Sequence, residues 1–351
     1  FMMHRGGVLP EVEIAFETWG ELARGRDNAV LLFTGLSPDA HAASSPSDPR
    51  PGWWEYMIGP GKPIDTKAFF VVCTNSLGSC FGSTGPASID PRTGRPYGLG
   101  FPELSIEDIA AADRMLLREL GINRLRAVVG PSLGGMAALA FTLGVPDAAG
   151  DLAVLSAAAH ATPFAIAMRS LQREIIRSDP AWREGAYAPG EGPGAGMRLA
   201  RKLGLATYRS ATEWQLRFGR RRLDRTGSFE PEFEIESYLE TNARKFAGTF
   251  DANCYLYLSR AMDLFELADT EDALQAALAK VDTRRVLIVG VESDFLFPLE
   301  QQRSLASAFR RAGHEVSFVA LPSVQGHDAF LVDKKRFGPV MRTFFAQRSG
   351  A

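Results

Sequence analysis

The chain has 351 residues, 46% hydrophobic and 23% charged, enough to bury a large core with room for an insertion. Its 39 basic and 41 acidic residues leave a formal net charge of −2, which argues against nucleic acid or an anionic membrane as partner. No apolar run reaches spanning length, and the start Phe1 to Gly7 has no secretory apolar core, so a membrane location is not expected.

In chain order, Val12 to Thr18, Val30 to Phe33 and Phe69 to Cys73 read as the first strands. A helix is expected after Ser105, with Asp108 at the capping-box offset and Gly121 to stop it. Leu125 to Val129 and Asp151 to Leu155 continue the strands, with a small-residue helix from Met136 to Thr142 between them. The pattern then changes. From about Thr162 to Leu267 the periodicity is helical, as in Ile166 to Ile176 and Gly196 to Leu205, broken by a Gly- and Pro-rich loop after Glu184. The run Arg220-Arg221-Arg222 reads as a solvated helix face. Strands resume at Arg285 to Val291 and Val316 to Leu321. This alternation predicts an α/β fold with a mostly parallel central sheet flanked by helices. The expected division is a discontinuous core, 1–161 and 268–351, with a helical lid at 162–267.

Within this frame, the strand ending at Val129 runs into Gly130-Pro131-Ser132-Leu133-Gly134 and a helix. Strand, Gly-x-Ser-x-Gly and helix together form the nucleophile elbow of an α/β-hydrolase, with Ser132 on the tight turn. A serine needs a base, itself oriented by an acid, and in this fold the chain order is serine, acid, histidine. Of the five histidines, His327 lies in the loop after the last strand. Asp294 follows the preceding strand, at the carboxyl end where open α/β sheets place their chemistry. His41 and His160 suit packing or loop roles. Cys73, Cys80 and Cys254 have no metal-ligand spacing, so no metal is expected, and a reducing cytoplasm fits them.

Longer blocks carry a resemblance. Leu32-Phe33-Thr34-Gly35-Leu36-Ser37-Pro38-Asp39-Ala40-His41, Asn75-Ser76-Leu77-Gly78-Ser79-Cys80, Ala200-Arg201-Lys202-Leu203, Asp251-Ala252-Asn253-Cys254-Tyr255 and Gly326-His327-Asp328-Ala329-Phe330 resemble the homoserine O-acetyltransferase family. The resemblance covers nearly the whole chain. It implies transfer of an acyl group from coenzyme A to an amino-acid hydroxyl, on an α/β-hydrolase core with a helical lid. Carried over, Ser132 is the nucleophile, Asp294 the acid and His327 the base. The amides of Leu36 and Leu133 form the oxyanion hole. Arg201 and Tyr208 bind substrate, Arg201 through a carboxylate, and Asp328 takes the α-amino group. The elbow Gly-Pro-Ser-Leu-Gly-Gly and the loop Thr34 to His41 depart from the commonest family pattern. With Ser170-Leu171-Gln172-Arg173-Glu174 they resemble the branch that acylates L-serine from succinyl-CoA for cysteine synthesis.

The resemblance implies acyl-CoA as co-substrate, no bound cofactor, and a homodimer. Homoserine acylation for methionine synthesis is the main alternative, since one methylene between acceptors is worth only about 1–3 kcal/mol in a pocket. An esterase-type hydrolase would share the elbow and triad, and a non-catalytic binding protein on this fold would usually have lost a triad member.

Overall fold

Runs of Val, Leu and Ile form the strands, as expected where a sheet is covered on both faces. The computed structural model describes residues 1–346 except 225, 226, 228 and 229. Among these, one sheet contains β1 (Phe16–Trp19), β2 (Ala29–Phe33), β3 (Phe70–Thr74), β4 (Leu125–Pro131), β5 (Ala149–Leu155), β6 (Arg285–Val291) and β7 (Glu315–Leu321). The order is β1-β3-β2-β4-β5-β6-β7, with β1 antiparallel to β3 and the remaining neighbours parallel. β1 starts at Phe16 rather than near Val12. The earlier residues are tied instead to a loop, where Glu13 and Ala15 amides donate to the Thr84 and Ser83 hydroxyls.

Helices cover both faces. α1 (Ile106–Glu119) begins with the capping box formed by Ser105 and Asp108, which satisfies two of its free donors. α2 (Leu133–Gly144) follows β4 directly. Between β5 and β6 come α3 (Pro163–Ser178), α4 (Gly194–Tyr208), α5 (Ala211–Arg217), α6 (Glu234–Ala247), α7 (Ala252–Leu264) and α8 (Glu271–Leu278). α9 (Leu299–Arg311) links β6 to β7, and α10 (Ala329–Val332) and α11 (Lys334–Ala346) follow. The Arg220–Arg222 run is not helical. It lies after α5, where Arg222 forms a β-bridge with Phe233, Arg221 pairs with Glu234 and Arg222 with Glu232. Residues 347–351 of the expected core, and 225, 226, 228 and 229 of the expected lid, lie outside the described residues.

Side-chain alternation along the strands divides the core in two. Leu31, Phe33 and Val128 pack with Met136, Phe141, Leu258 and Phe309, while Val30, Leu32, Val129 and Val289 pack with Trp54, Phe337, Met341 and Phe344. Each such fully buried side chain stabilises the fold by about 1.5–3 kcal/mol relative to exposure. β2 lies between β3 and β4, so the chain leaves it to one side and returns on the other. That switch point opens a crevice at the carboxyl ends of β2 and β4, the place where open α/β sheets bind ligands. No helix among the described residues is long and apolar enough to cross a membrane.

Candidate active site

The turn between β4 and α2 holds Ser132 at φ 56° and ψ −125°, a backbone conformation that costs a non-glycine residue about 1–3 kcal/mol. Its neighbours explain how the strain is imposed. A Cβ on Gly130 would overlap the Gly134 carbonyl, and one on Gly134 would lie 2.6 Å from the Phe33 carbonyl oxygen. The Ser132 amide also donates to the Leu155 carbonyl at 2.9 Å, pinning the turn to β5.

Three side chains from three strand ends meet here. His327 Nε2 lies 2.8 Å from Ser132 Oγ, and His327 Nδ1 lies 2.7 Å from Asp294 Oδ2. The other Asp294 oxygen accepts the Leu296 and Phe297 amides, both at 3.0 Å. Asp294 is thus fixed by a local turn while it also orients the imidazole. All three residues are buried. Burial pulls the His327 pKa down, but the Asp294 charge and hydrogen bond, with Asp328 adding, outweigh it and leave it raised. The ring is held between Phe297, stacked at 5.2 Å, and the edge of Phe330.

A cavity of about 130 Å³ lies over Ser132. Leu36, from the loop after β2, lines it, and Leu133 opens α2 beside Ser132. Neither amide donates a hydrogen bond among the described residues, and both adjoin the serine at the carboxyl end of the sheet. Helix geometry aligns Arg201 and Tyr208, seven residues apart on α4. The Arg201 guanidinium lies 4.2 Å from the Phe246 ring centroid and 5.5 Å from that of Tyr208. Its Nε is buried with no hydrogen-bond partner among the described residues. Asp328 also lines the cavity, and its Oδ2 accepts Arg209 Nε at 3.0 Å. His41 takes no part: its ring nitrogens contact Glu17 and the Arg50 carbonyl.

Arg169, not singled out in the sequence, and Gln172, named there only within the Ser170–Glu174 block, share this cavity. Arg169 is buried, its Nε is 2.5 Å from Asp263 Oδ1, and its Nη2 has no hydrogen-bond partner among the described residues. Gln172, also buried, donates to the Ala200 carbonyl and braces α3 against α4. One signal was present: Arg169 and Gln172 fall at the same face of α3 as the core residues Ala165 and Ile176. A charge on the buried stripe of an amphipathic helix needs a partner or a ligand. Among the described residues, no cluster of three or more His, Cys, Asp or Glu side chains is arranged to hold a metal.

The arrangement joins a serine hydroxyl hydrogen-bonded to a histidine, two amides that donate no hydrogen bond among the described residues, and two arginines with donors unused among them. Known proteins match it along its length. A family model for the alpha/beta hydrolase fold matches residues 28–333. Serine O-succinyltransferase of Litchfieldella anticariensis is 61% identical, covering 99% of this chain and 96% of that protein. L-serine/homoserine O-acetyltransferase of Streptomyces lavendulae is 57% identical, covering 99% of this chain and 95% of that protein. The crystal structure of homoserine O-acetyltransferase from Bacillus anthracis superposes with a TM-score of 0.92 at 27% identity, covering 100% of this chain and 96% of that one. The chain belongs to the α/β hydrolase fold family and, within it, to the branch formed by the serine O-succinyltransferases and homoserine O-acetyltransferases.

Proposed function

We propose that this protein is an L-serine O-succinyltransferase, converting succinyl-CoA and L-serine to O-succinyl-L-serine and free coenzyme A. One observation carries the reading: Ser132, hydrogen-bonded to His327, opens into a small cavity that holds two arginines with unpaired nitrogen donors. Both substrates bring a carboxylate, and a buried guanidinium is completed by one.

In the first half-reaction His327 takes the Ser132 proton, and Oγ attacks the thioester carbonyl. The Leu36 and Leu133 amides hold the oxyanion, at about 3 kcal/mol per donor in comparable sites. The C–S bond breaks, and the leaving thiolate recovers the proton from His327. In the second half-reaction the serine hydroxyl, deprotonated by His327, attacks the acyl-enzyme carbonyl, the bond to Ser132 Oγ breaks, and His327 returns the proton to Ser132. Arg201, resting over the Phe246 ring with Tyr208 beside it, takes the acceptor α-carboxylate, and Asp328, held by Arg209, takes its α-amine. Arg169 takes the far carboxylate of the succinyl group. A helical lid, 162–267, closes over the core formed by 1–161 and 268–351, and α3, α4 and α7 keep bulk water from the acyl-enzyme.

The product is an activated serine ready for displacement by sulfide, which places the reaction in cysteine synthesis. Free Cys73, Cys80 and Cys254 fit a reducing cytoplasm. Half-exposed Leu171 on α3 and Leu199 on α4 support pairing of the lid helices in a homodimer, for which gel filtration giving a monomer mass is the contrary result.

The test is thiol release from acetyl-CoA and succinyl-CoA, each with L-serine, L-homoserine or no acceptor. Fast release with succinyl-CoA and L-serine is expected. The Streptomyces relative favours a second reading, acetyl transfer to serine or homoserine, which predicts fast release from acetyl-CoA. Release that ignores the acceptor would identify a hydrolase.

A further inference from the structure

A second hollow, of about 350 Å³, opens on the outer side of α3 and α7. Its floor is apolar, built from buried Leu104, Trp182 and Leu256 with Tyr257 beside them, and its rim carries Arg173, Arg177 and Arg260. Arg177 pairs with no carboxylate among the described residues, and its guanidinium rests 5.3 Å from the Trp182 ring centroid. Arg260 meets Glu103 at 3.3 Å, but both are exposed, and solvent leaves such a pair weak. Arg177 and Arg260 at the rim face the single exposed carboxylate of Glu103, with Arg173 held behind them by Asp263, and this excess of guanidinium above an aromatic and aliphatic floor suits a phosphorylated heterocycle.

The hollow is tied to the catalytic cavity through one helix. Arg169, Arg173 and Arg177 stand at successive i, i+4 positions of α3, one above another on one face. Arg169 lines the cavity over Ser132, while Arg173 and Arg177 line the hollow. Arg169 and Arg173 share Asp263 of α7, at 2.5 and 2.7 Å, so one ion-paired group links a residue of each space. The rise from Arg169 to Arg177 is about 12 Å along the helix axis, within the reach of a pantetheine arm.

We infer that this hollow docks the nucleotide end of the acyl-CoA donor, an inference that rests on the acyl-CoA reading above. Arg173, Arg177 and Arg260 contact its phosphates, its adenine lies against Tyr257 and half-exposed Leu99, and the pantetheine arm runs along α3 to Ser132. The donor thus enters on the α3–α7 side.

The experiment compares wild type with the Arg177→Glu/Arg260→Glu double variant, both substitutions at exposed positions. KM is measured for succinyl-CoA and for succinyl-pantetheine, which lacks the nucleotide. The ratio of the two KM values, succinyl-CoA over succinyl-pantetheine, is expected to rise about tenfold in the variant. Adenosine 3′,5′-bisphosphate is titrated directly onto both proteins, with binding expected to weaken about tenfold in the variant. An unchanged KM ratio with undiminished bisphosphate binding would place the nucleotide elsewhere and overturn the inference, as would a wild type that does not bind the bisphosphate. Failure of the acyl-CoA reading looks different: wild type then turns over neither thioester, and the bisphosphate titration alone decides the site.

Discussion

Asp151 and Ser132 sit at opposite ends of neighbouring strands, both buried, and their surroundings differ in kind. At the amino end, the Asp151 carboxylate is gripped by Arg285 at 3.1 and 2.5 Å and by Arg126, and Arg285 also donates to the Phe344 carbonyl. This cluster joins β4, β5 and β6 to the C-terminal helix. At the carboxyl end of the same strands, Ser132 is held in a strained turn, and Arg169 and Arg201 face a cavity with donors unused. Buried polar groups that are satisfied serve the fold. Those left open at a cavity are where a ligand completes the structure.

Substitutions at the two ends break this contrast in opposite ways. The largest effect is expected from Asp294→Asn, which keeps the shape but loses the charge that orients His327 and raises its pKa. Turnover should fall about 10⁴-fold, as in other triads, with little change in melting temperature. The wild-type kcat/KM should fall as pH drops through a His327 pKa above the usual imidazole value, because the base must be neutral. A pH–rate profile checks this, and an acid limb below the ordinary value would contradict it.

At the other end, Asp151→Ala removes the buried carboxylate that Arg126 and Arg285 share and should cost about 3–5 kcal/mol of stability in urea unfolding, while the folded fraction keeps its turnover. A loss of turnover beyond the loss of folded protein would erase the distinction between the two clusters.

Arg169→Gln should have a smaller effect: about tenfold to a hundredfold loss of preference for succinyl-CoA over acetyl-CoA, seen in kcat/KM ratios. An unchanged ratio would remove Arg169 from donor selection.

The smallest effect concerns Asp113 on α1, a buried carboxyl outside both clusters that the Thr74 hydroxyl contacts at 2.5 Å. Burial raises its pKa to about 7, against the Thr74 hydrogen bond, which lowers it. The neutral form therefore supports the fold at low pH, and that support is lost as pH rises through about 7. Asp113→Asn should gain about 1–3 kcal/mol at pH 8 and little near pH 4, measured by denaturant midpoints.

The sequence carried the sheet and the meeting of Ser132, Asp294 and His327, because each follows an apolar run whose end marks the carboxyl edge of a strand. Glycines that admit no Cβ at 130 and 134 made the elbow equally legible. Arg169 was not, since its partner Asp263 lies on another helix far along the chain, and only tertiary packing tells a paired buried arginine from a solvated one. The same reason explains the Arg220–Arg222 run: local charge suggested a helix face, but pairing with Glu232 and Glu234 holds it in a bridge. β1 starts at Phe16 rather than near Val12 because hydroxyls at Ser83 and Thr84, distant in sequence, take the amides that a longer strand would use.

In the proposed mechanism Ser132 carries the acyl group between donor and acceptor. Mass spectrometry of the protein mixed with succinyl-CoA alone, then with L-serine, shows whether it does. A mass gain of one succinyl group is expected on the peptide bearing Ser132, lost within a turnover when serine is added, and absent in Ser132→Ala. Normal product formation by Ser132→Ala, or by wild type with no such adduct ever appearing, would contradict that mechanism.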